Sequence, residues 1–188
     1  MAKAPVVFGA PLRGNRFVAT TVYRVTASDA DVRYVWHEAP VPPGLEITQV
    51  YGYLICAQTA RVLVQDDDGV FNFTSDEDLF ATLAREAAEE NQVRIDDAVY
   101  LGFQEVHRPG RAPYAQVRMV GRIAGFDPRR PDPDGGRIYR RLMCPLHEAP
   151  RVLGWGDPAV AQANAAAHVA AERWGMDVAA SSGADYVD

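Results

Sequence analysis

The sequence predicts an α+β fold, an α/β/α sandwich on a mixed β-sheet. Two observations point there. Runs rich in β-branched and aromatic residues appear in the order strands, one amphipathic helix, more strands, a last helix. No alternating βαβ pattern is visible, which argues against a doubly wound dinucleotide-binding sheet. At 188 residues, 48% hydrophobic and 23% charged, the chain has the size and composition of one soluble domain with an added arm. That length buries roughly 70% of the unfolded chain's surface.

The first forty residues hold two strand candidates, FVATTVYRVT and ADVRYVWHEA, which make residues 1–40 a β-rich N-terminal arm. The arm is expected to pair as an added antiparallel element on the domain or on a second subunit. VPPG at 41–44 breaks the chain and marks the boundary to a main domain at 45–175. EITQVYGYLICA and RVLVQD read as two strands joined by a short turn. Asp67, Asp68 and Gly69 signal a further turn, and VFNF a short strand. The amphipathic helix EDLFATLAREAAEENQV at 77–93 follows. RIDDAVYLGFQEVH, YAQVRMVGRIAGF and RIYRRLMCPL are strands, with HRPGRAP and the long segment FDPRRPDPDGGR (126–137) as loops. The last helix has Asp157 as its expected cap, Pro158 at its first turn and Gly175 as its stop. Ala163, Ala166, Ala167, Ala170 and Trp174 form its packing stripe. Residues 176–188 are small and polar and are expected to form a flexible tail.

A net charge of −6 argues against broad nucleic-acid or anionic-membrane binding, so no DNA, RNA or membrane partner is expected. No apolar run reaches the ~20 residues of a membrane span, and MAKAPVVFGAPLRG lacks a long signal-peptide core. The expectation is a cytoplasmic protein. Cys56 and Cys144 lie in apolar strand-like runs and read as buried free thiols.

The first helix raises a chemical question. At about 100° per residue, with Leu83 at zero, Leu79, Ala87 and Phe80 define an apolar stripe. Glu90 then falls at about −20°, inside the stripe, with Glu86 at about −60° and Glu89 at about −120°. A carboxylate turned toward a core needs a partner, a proton or a metal ion. Arg85 stands four residues before Glu89, within reach of it on a helix. Clustered carboxylates with little His or Cys nearby suit a hard cation, Mg²⁺ or Mn²⁺. That chemistry suggests metal-assisted attack of water on a phosphoryl group, weighed against an acidic helix with a structural ion pair.

Glu77, seven residues, then REAAEENQV resembles the second half of the Nudix box, G-x5-E-x7-R-E-U-x-E-E-x-G-U, where U is a bulky aliphatic. Glu77, Arg85, Glu86, Glu89, Glu90 and Val93 stand at matching positions, and Ala87 where the first aliphatic belongs. The resemblance covers about residues 45–175 and implies a Nudix α/β/α sandwich that hydrolyses the diphosphate linkage of a nucleoside diphosphate-type substrate with Mg²⁺ or Mn²⁺. It implies Glu86, Glu89 and Glu90 as metal ligands and Glu86 as base. Arg85 would orient these acids and Glu77 would support the loop. Dimerisation stays a family-level expectation. The chain departs from the pattern at Phe71 and Gln92, where glycines belong, and lacks the Gly-rich turn. The alternative is therefore a catalytically impaired Nudix domain acting as a nucleotide- or metabolite-binding or interaction module.

Arg118, Tyr114 and Glu105 are the candidate substrate-binding residues. Arg118 and Arg122 alternate on one strand face, which suits phosphate or an exposed surface equally. Tyr51 and Phe73 are further stacking candidates, and Asp127 a further carboxylate. Loop 126–137, with Arg129, Arg130 and Arg137, is expected to border the ligand site. His37, His107, His147 and His168 show no ligand spacing and read as structural or exposed.

Overall fold

Period-two alternation in two central strands decides the layering. The computed structural model describes residues 20–24, 32–65, 79–131, 133, 136 and 138–187. In strand β3 (Glu46–Cys56), Val50, Leu54 and Cys56 enter one hydrophobic cluster while Tyr53 and Ile55 enter another. Strand β6 (Tyr114–Phe126) splits likewise, with Ala115, Val117, Met119 and Ile123 on the first side and Val120 on the second. Both faces are therefore covered, as a sheet buried between helices requires.

The remaining strands are β1 (Thr20–Arg24), β2 (Arg33–His37), β4 (Val62–Gln65), β5 (Val93–His107), β7 (Arg141–Cys144) and β8 (Asp185–Val187). They join one eight-stranded sheet in the order β1-β2-β5-β6-β3-β4-β7-β8. Every neighbouring pair is antiparallel except β3 and β6, which run parallel from Glu46↔Tyr114 to Cys56↔Ile123. The N-terminal run thus extends the sheet of the main domain: β2 pairs with β5, and Trp36 is buried in the core. At VPPG the chain turns, Leu45 N donating to Pro42 O at 3.2 Å.

Helix α1 (Leu79–Glu90) covers the first face through Leu83 and Ala87. The close approach needs a glycine beneath it. A Cβ at Gly52 would stand 2.5 Å from Leu83 Cδ1. Helix α3 (Asp157–Trp174) covers the second face through Ala163, Ala166 and Ala170. Its N-cap is Gly156 rather than Asp157, which is the first helical residue and places its charge in the first turn. Gly175 ends it with φ 65°, and the N–H groups of Gly175 and Met176 return to the carbonyls of Ala171 and Ala170 at 3.0 Å.

A 3-10 turn (Leu146–Glu148) and a short helix α2 (Ala149–Leu153) are not foreshadowed by periodicity. The expectation of a flexible tail at 176–188 is corrected. Met176 and Val178 are buried, and β8 pairs with β7. Arg61 Nη1 also meets Asp185 Oδ2 at 2.7 Å. Backbone pairing along the β7 edge outweighs the polar composition of the segment. Cys56 and Cys144 are buried free thiols, and burial pushes the Cys144 thiol up to about 11. The VFNF strand and the Gly-rich-loop position (66–78) lie outside the described residues.

Candidate functional site

On α1, Arg85 is held between two acids. Its Nη2 meets Glu86 Oε1 at 2.8 Å and its Nη1 meets Glu89 Oε2 at 2.9 Å. Glu86 is 8% exposed, whereas Glu90 is half-buried. The helical wheel places Glu90 deepest, and the structure reverses that order. Thr82, Leu83, Glu86 and Ala87 are the buried set, so the buried arc is turned toward Glu86. Glu90 sits in the last turn, half-buried as a residue but with its Oε2 buried. Phe80, assigned to the stripe, is 40% exposed. Two carboxylates share one guanidinium on this flank. Among the described residues, no three His, Cys, Asp or Glu side chains converge into a ready-made cation cage. The all-oxygen donor set still fits Mg²⁺, which binds through one or two carboxylates and completes its shell with water and substrate phosphate. Glu77 and Phe71 lie outside the described residues.

The end of α1 is locked from below. Gln92 takes φ 48°, a left-handed conformation at the position where the resemblance expects glycine. Its side chain donates to Glu89 O at 2.7 Å, and its carbonyl accepts from Asp127 N at 2.8 Å. Arg141, 1% exposed, donates to the carbonyls of Asn91, Gln92, Asp127 and Val187 at 3.0–3.4 Å. A buried cation thereby satisfies carbonyls left over just past the helix end.

The opposite face of the sheet holds a cavity of about 580 Å³ beneath the first turn of α3. Arg118 forms its floor. It is 3% exposed, and register sets it beside Tyr51 of β3 and Gly102 of β5. Its Nε donates to Gln162 Oε1 at 3.0 Å and its Nη2 to Gln104 Oε1 at 2.8 Å and Gln116 Oε1 at 3.3 Å. Its carbon centre lies 4.2 Å from the Tyr51 ring and 5.3 Å from that of Trp155. Among the described residues it has no carboxylate partner. Burial pulls its pKa down, although a guanidinium stays charged in proteins. Burial also raises the Tyr51 hydroxyl and pushes that of Tyr53 up to about 12. Arg108 and Arg111 add positive charge to the wall, and among the described residues no acid lines the cavity. Such a concavity, cationic in a chain of net charge −6, favours an anion carrying a flat ring.

The structure brings Arg118, Tyr114 and Tyr51 together on this cavity and sets them on the face opposite α1. The reading of Arg118 as a surface residue is corrected, since amide oxygens make its burial tolerable. Glu105 leaves the group: it pairs in register with Ala115 on the α1 face and is held by His37 at 3.2 Å and His107 at 3.1 Å. Arg122 lies outside the cavity, bonded to Asp96 at 2.8 and 3.0 Å. Asp127 pairs with Arg94 at 3.1 Å. Among its described residues, loop 126–137 does not line the cavity but touches the end of α1, where Arg130 N meets Gln92 Oε1 at 3.5 Å. Arg137 and Phe73 lie outside the described residues. Sequence reasoning missed Gln104, Gln116, Gln162 and Trp155. One signal was available: Tyr114, Gln116 and Arg118 place polar atoms at every second position of an otherwise apolar strand.

No helix among the described residues is long and apolar enough to cross a membrane. No family model matches the sequence, and no curated protein matches it. Among solved structures, the chain is similar to a glutamate-to-alanine mutant of the Bacillus subtilis pyrophosphohydrolase BsRppH. The TM-score is 0.46 and the identity 12%, over 57% of this chain and 68% of that one.

Proposed function

We propose that the chain is a Nudix-like hydrolase of phosphoric anhydrides whose substrate is a nucleoside diphosphate-type molecule. The observation that carries this reading is the Arg85 clamp on Glu86 and Glu89, on the helix that bears the RExxEE run. Glu86, Glu89 and Glu90 are the residues that would hold Mg²⁺ or Mn²⁺. The ion would supply charge neutralisation at phosphate oxygens and a lower pKa for water. Glu86 is the most enclosed of the three and is assigned as general base. It takes a proton from water as the water oxygen bonds to phosphorus and the P–O anhydride bond breaks. Arg85 holds that carboxylate in place. In this reading the substrate lies on the α1 face, and the Arg118 cavity on the opposite face is a separate pocket. A screen of diphosphate-linked compounds with Mg²⁺ and Mn²⁺ tests the proposal, with loss of turnover in Glu86→Gln as the expected control. Turnover unaffected by Glu86→Gln would overturn the assignment.

One observation favours a second reading, a binding module without turnover. The cavity, which would seat the nucleoside ring in this reading, lies on the α3 face with no acid among the described residues of its wall, while the glutamates occupy the α1 face. Saturable nucleotide binding with no product under either metal would select this reading.

A further inference from the structure

Hydrogen bonding around Arg118 fixes what the cavity can still offer a ligand. A guanidinium has only donors, so an amide that touches it must turn its oxygen inward. Gln162 Oε1 accepts from Arg118 Nε at 3.0 Å and from the Tyr53 hydroxyl at 3.4 Å. Gln104 Oε1 accepts from Arg118 Nη2 at 2.8 Å and from Gln162 Nε2 at 3.1 Å. Gln116 Oε1 takes the other Nη2 bond at 3.3 Å, which leaves Gln116 Nε2 to donate to Gln49 Oε1. Gln49 Oε1 also accepts from the Tyr51 hydroxyl at 3.0 Å.

Each of these glutamine oxygens is thus engaged by a protein donor. The hydrogens left on the amides are N–H groups: both on Gln49 and Gln104, one each on Gln116 and Gln162. The amide layer presents mainly donors, with one acceptor lone pair left on Gln116 Oε1, and its polarity is set by a charge the ligand need not touch. Tyr51 and Trp155 close over the guanidinium and leave a flat ring as the natural occupant.

We infer that Arg118 makes this cavity selective for a ring that carries oxo groups and no exocyclic amine, uracil- or hypoxanthine-like rather than cytosine- or adenine-like. The inference rests on the reading that a nucleoside-type ligand occupies the Arg118 cavity. An oxo group receives the amide hydrogens, whereas an exocyclic amine opposes donor to donor in a buried site. Arg118 is a positioning residue: it acts through Gln104, Gln116 and Gln162.

Calorimetric titration with two matched pairs tests this, uridine against cytidine 5′-monophosphate and inosine against adenosine 5′-monophosphate. The oxo member of each pair is expected to bind at least about tenfold tighter, the discrimination typical of a buried unpaired donor. Arg118→Met frees the amides to rotate and is expected to erase the ratio, while Arg118→Lys retains part of it. Gln104→Glu replaces donors with an acceptor of the same shape and is expected to shrink or invert the ratio. If Arg118→Met does not fold, the wild-type ratio and Gln104→Glu decide. Equal affinities within both pairs, or a preference for the amines, overturn the inference but leave nucleotide binding standing. Failure of all four nucleotides to bind at millimolar concentration overturns both.

Discussion

Arg118 Nε and Gln162 Oε1 stand 3.0 Å apart, and that hydrogen bond ties strand β6 to helix α3 across the cavity floor. The same oxygen accepts from the Tyr53 hydroxyl. Gln162→Leu removes this acceptor and leaves the buried Arg118 Nε–H unpaired, while the Tyr53 hydroxyl keeps Ala159 O at 3.5 Å. The expected cost is about 1–3 kcal/mol, measured as a lower urea midpoint at unchanged slope. An unchanged midpoint would mean that water replaces the amide without loss.

Cation linkage on α1 gives a second expectation. Glu86 and Glu89 share Arg85, and Glu90 follows in the last turn of the same helix. If the ion site is real, Mg²⁺ at a hundred times its dissociation constant adds about 2.7 kcal/mol to stability. Glu90→Gln should remove most of that response, and Glu89→Gln a good part, with the metal-free melt little changed. A wild-type melting temperature that ignores both Mg²⁺ and Mn²⁺ would sink the ion site and leave the binding-module reading.

Gln92 is a third case. Its φ of 48° costs about 1 kcal/mol for a residue with a Cβ, and its side-chain bond to Glu89 O returns a similar amount. Gln92→Gly is therefore expected to lie within about 1 kcal/mol of wild type. Gln92→Val keeps the strain, worsens it by β-branching and loses the bond, and is expected to cost about 2 kcal/mol or more. Chemical denaturation of the two variants gives the comparison, and equal losses would contradict the strain argument.

Acid should act through Asp97. The hydrogen bond from Arg173 is the main cause that holds its pKa below the ordinary 3.8, with the Trp174 indole also donating. A carboxylate depressed in the folded state contributes stability that is complete above the unfolded pKa and fades as pH falls through the folded one. Wild type should lose part of its stability below about pH 4, and Asp97→Asn should be less stable at neutral pH with a shallower acid slope. Parallel slopes for the two proteins would show that other carboxylates govern acid unfolding.

The layering of the fold was legible because strand alternation and helix period are local signals. Val50 and Tyr51 declare opposite faces from neighbouring positions, and the alanine stripe of α3 declares its buried side. Arg85 with Glu89 was equally legible, since i,i+4 spacing brings them together, whereas the Arg85–Glu86 contact between adjacent residues was not. The cavity was not. Gln104, Gln116 and Gln162 come from β5, β6 and α3, and only sheet register and helix docking unite them. Glu105 parts from this cavity for the same reason: one residue of register sets it on the α1 face while Gln104 lines the cavity. Docking of the tail on β7 depends on an edge that the local sequence does not reveal.

The parallel ladder between β3 and β6 also sets a timetable. β3 ends at Cys56 and its central partner ends at Phe126, roughly seventy residues further on. At 5–20 residues per second, a ribosome takes roughly 4–14 s to make that stretch. Throughout that interval β3 has β4 as a neighbour but not the strand that completes its other edge. β2 waits likewise for β5, and β4 for β7. The nascent N-terminal half therefore carries open, apolar strand edges. Its safest route to the native sheet is to stay shielded until the second half arrives, which makes chaperone dependence and slow, topology-limited refolding the expected behaviour of this chain.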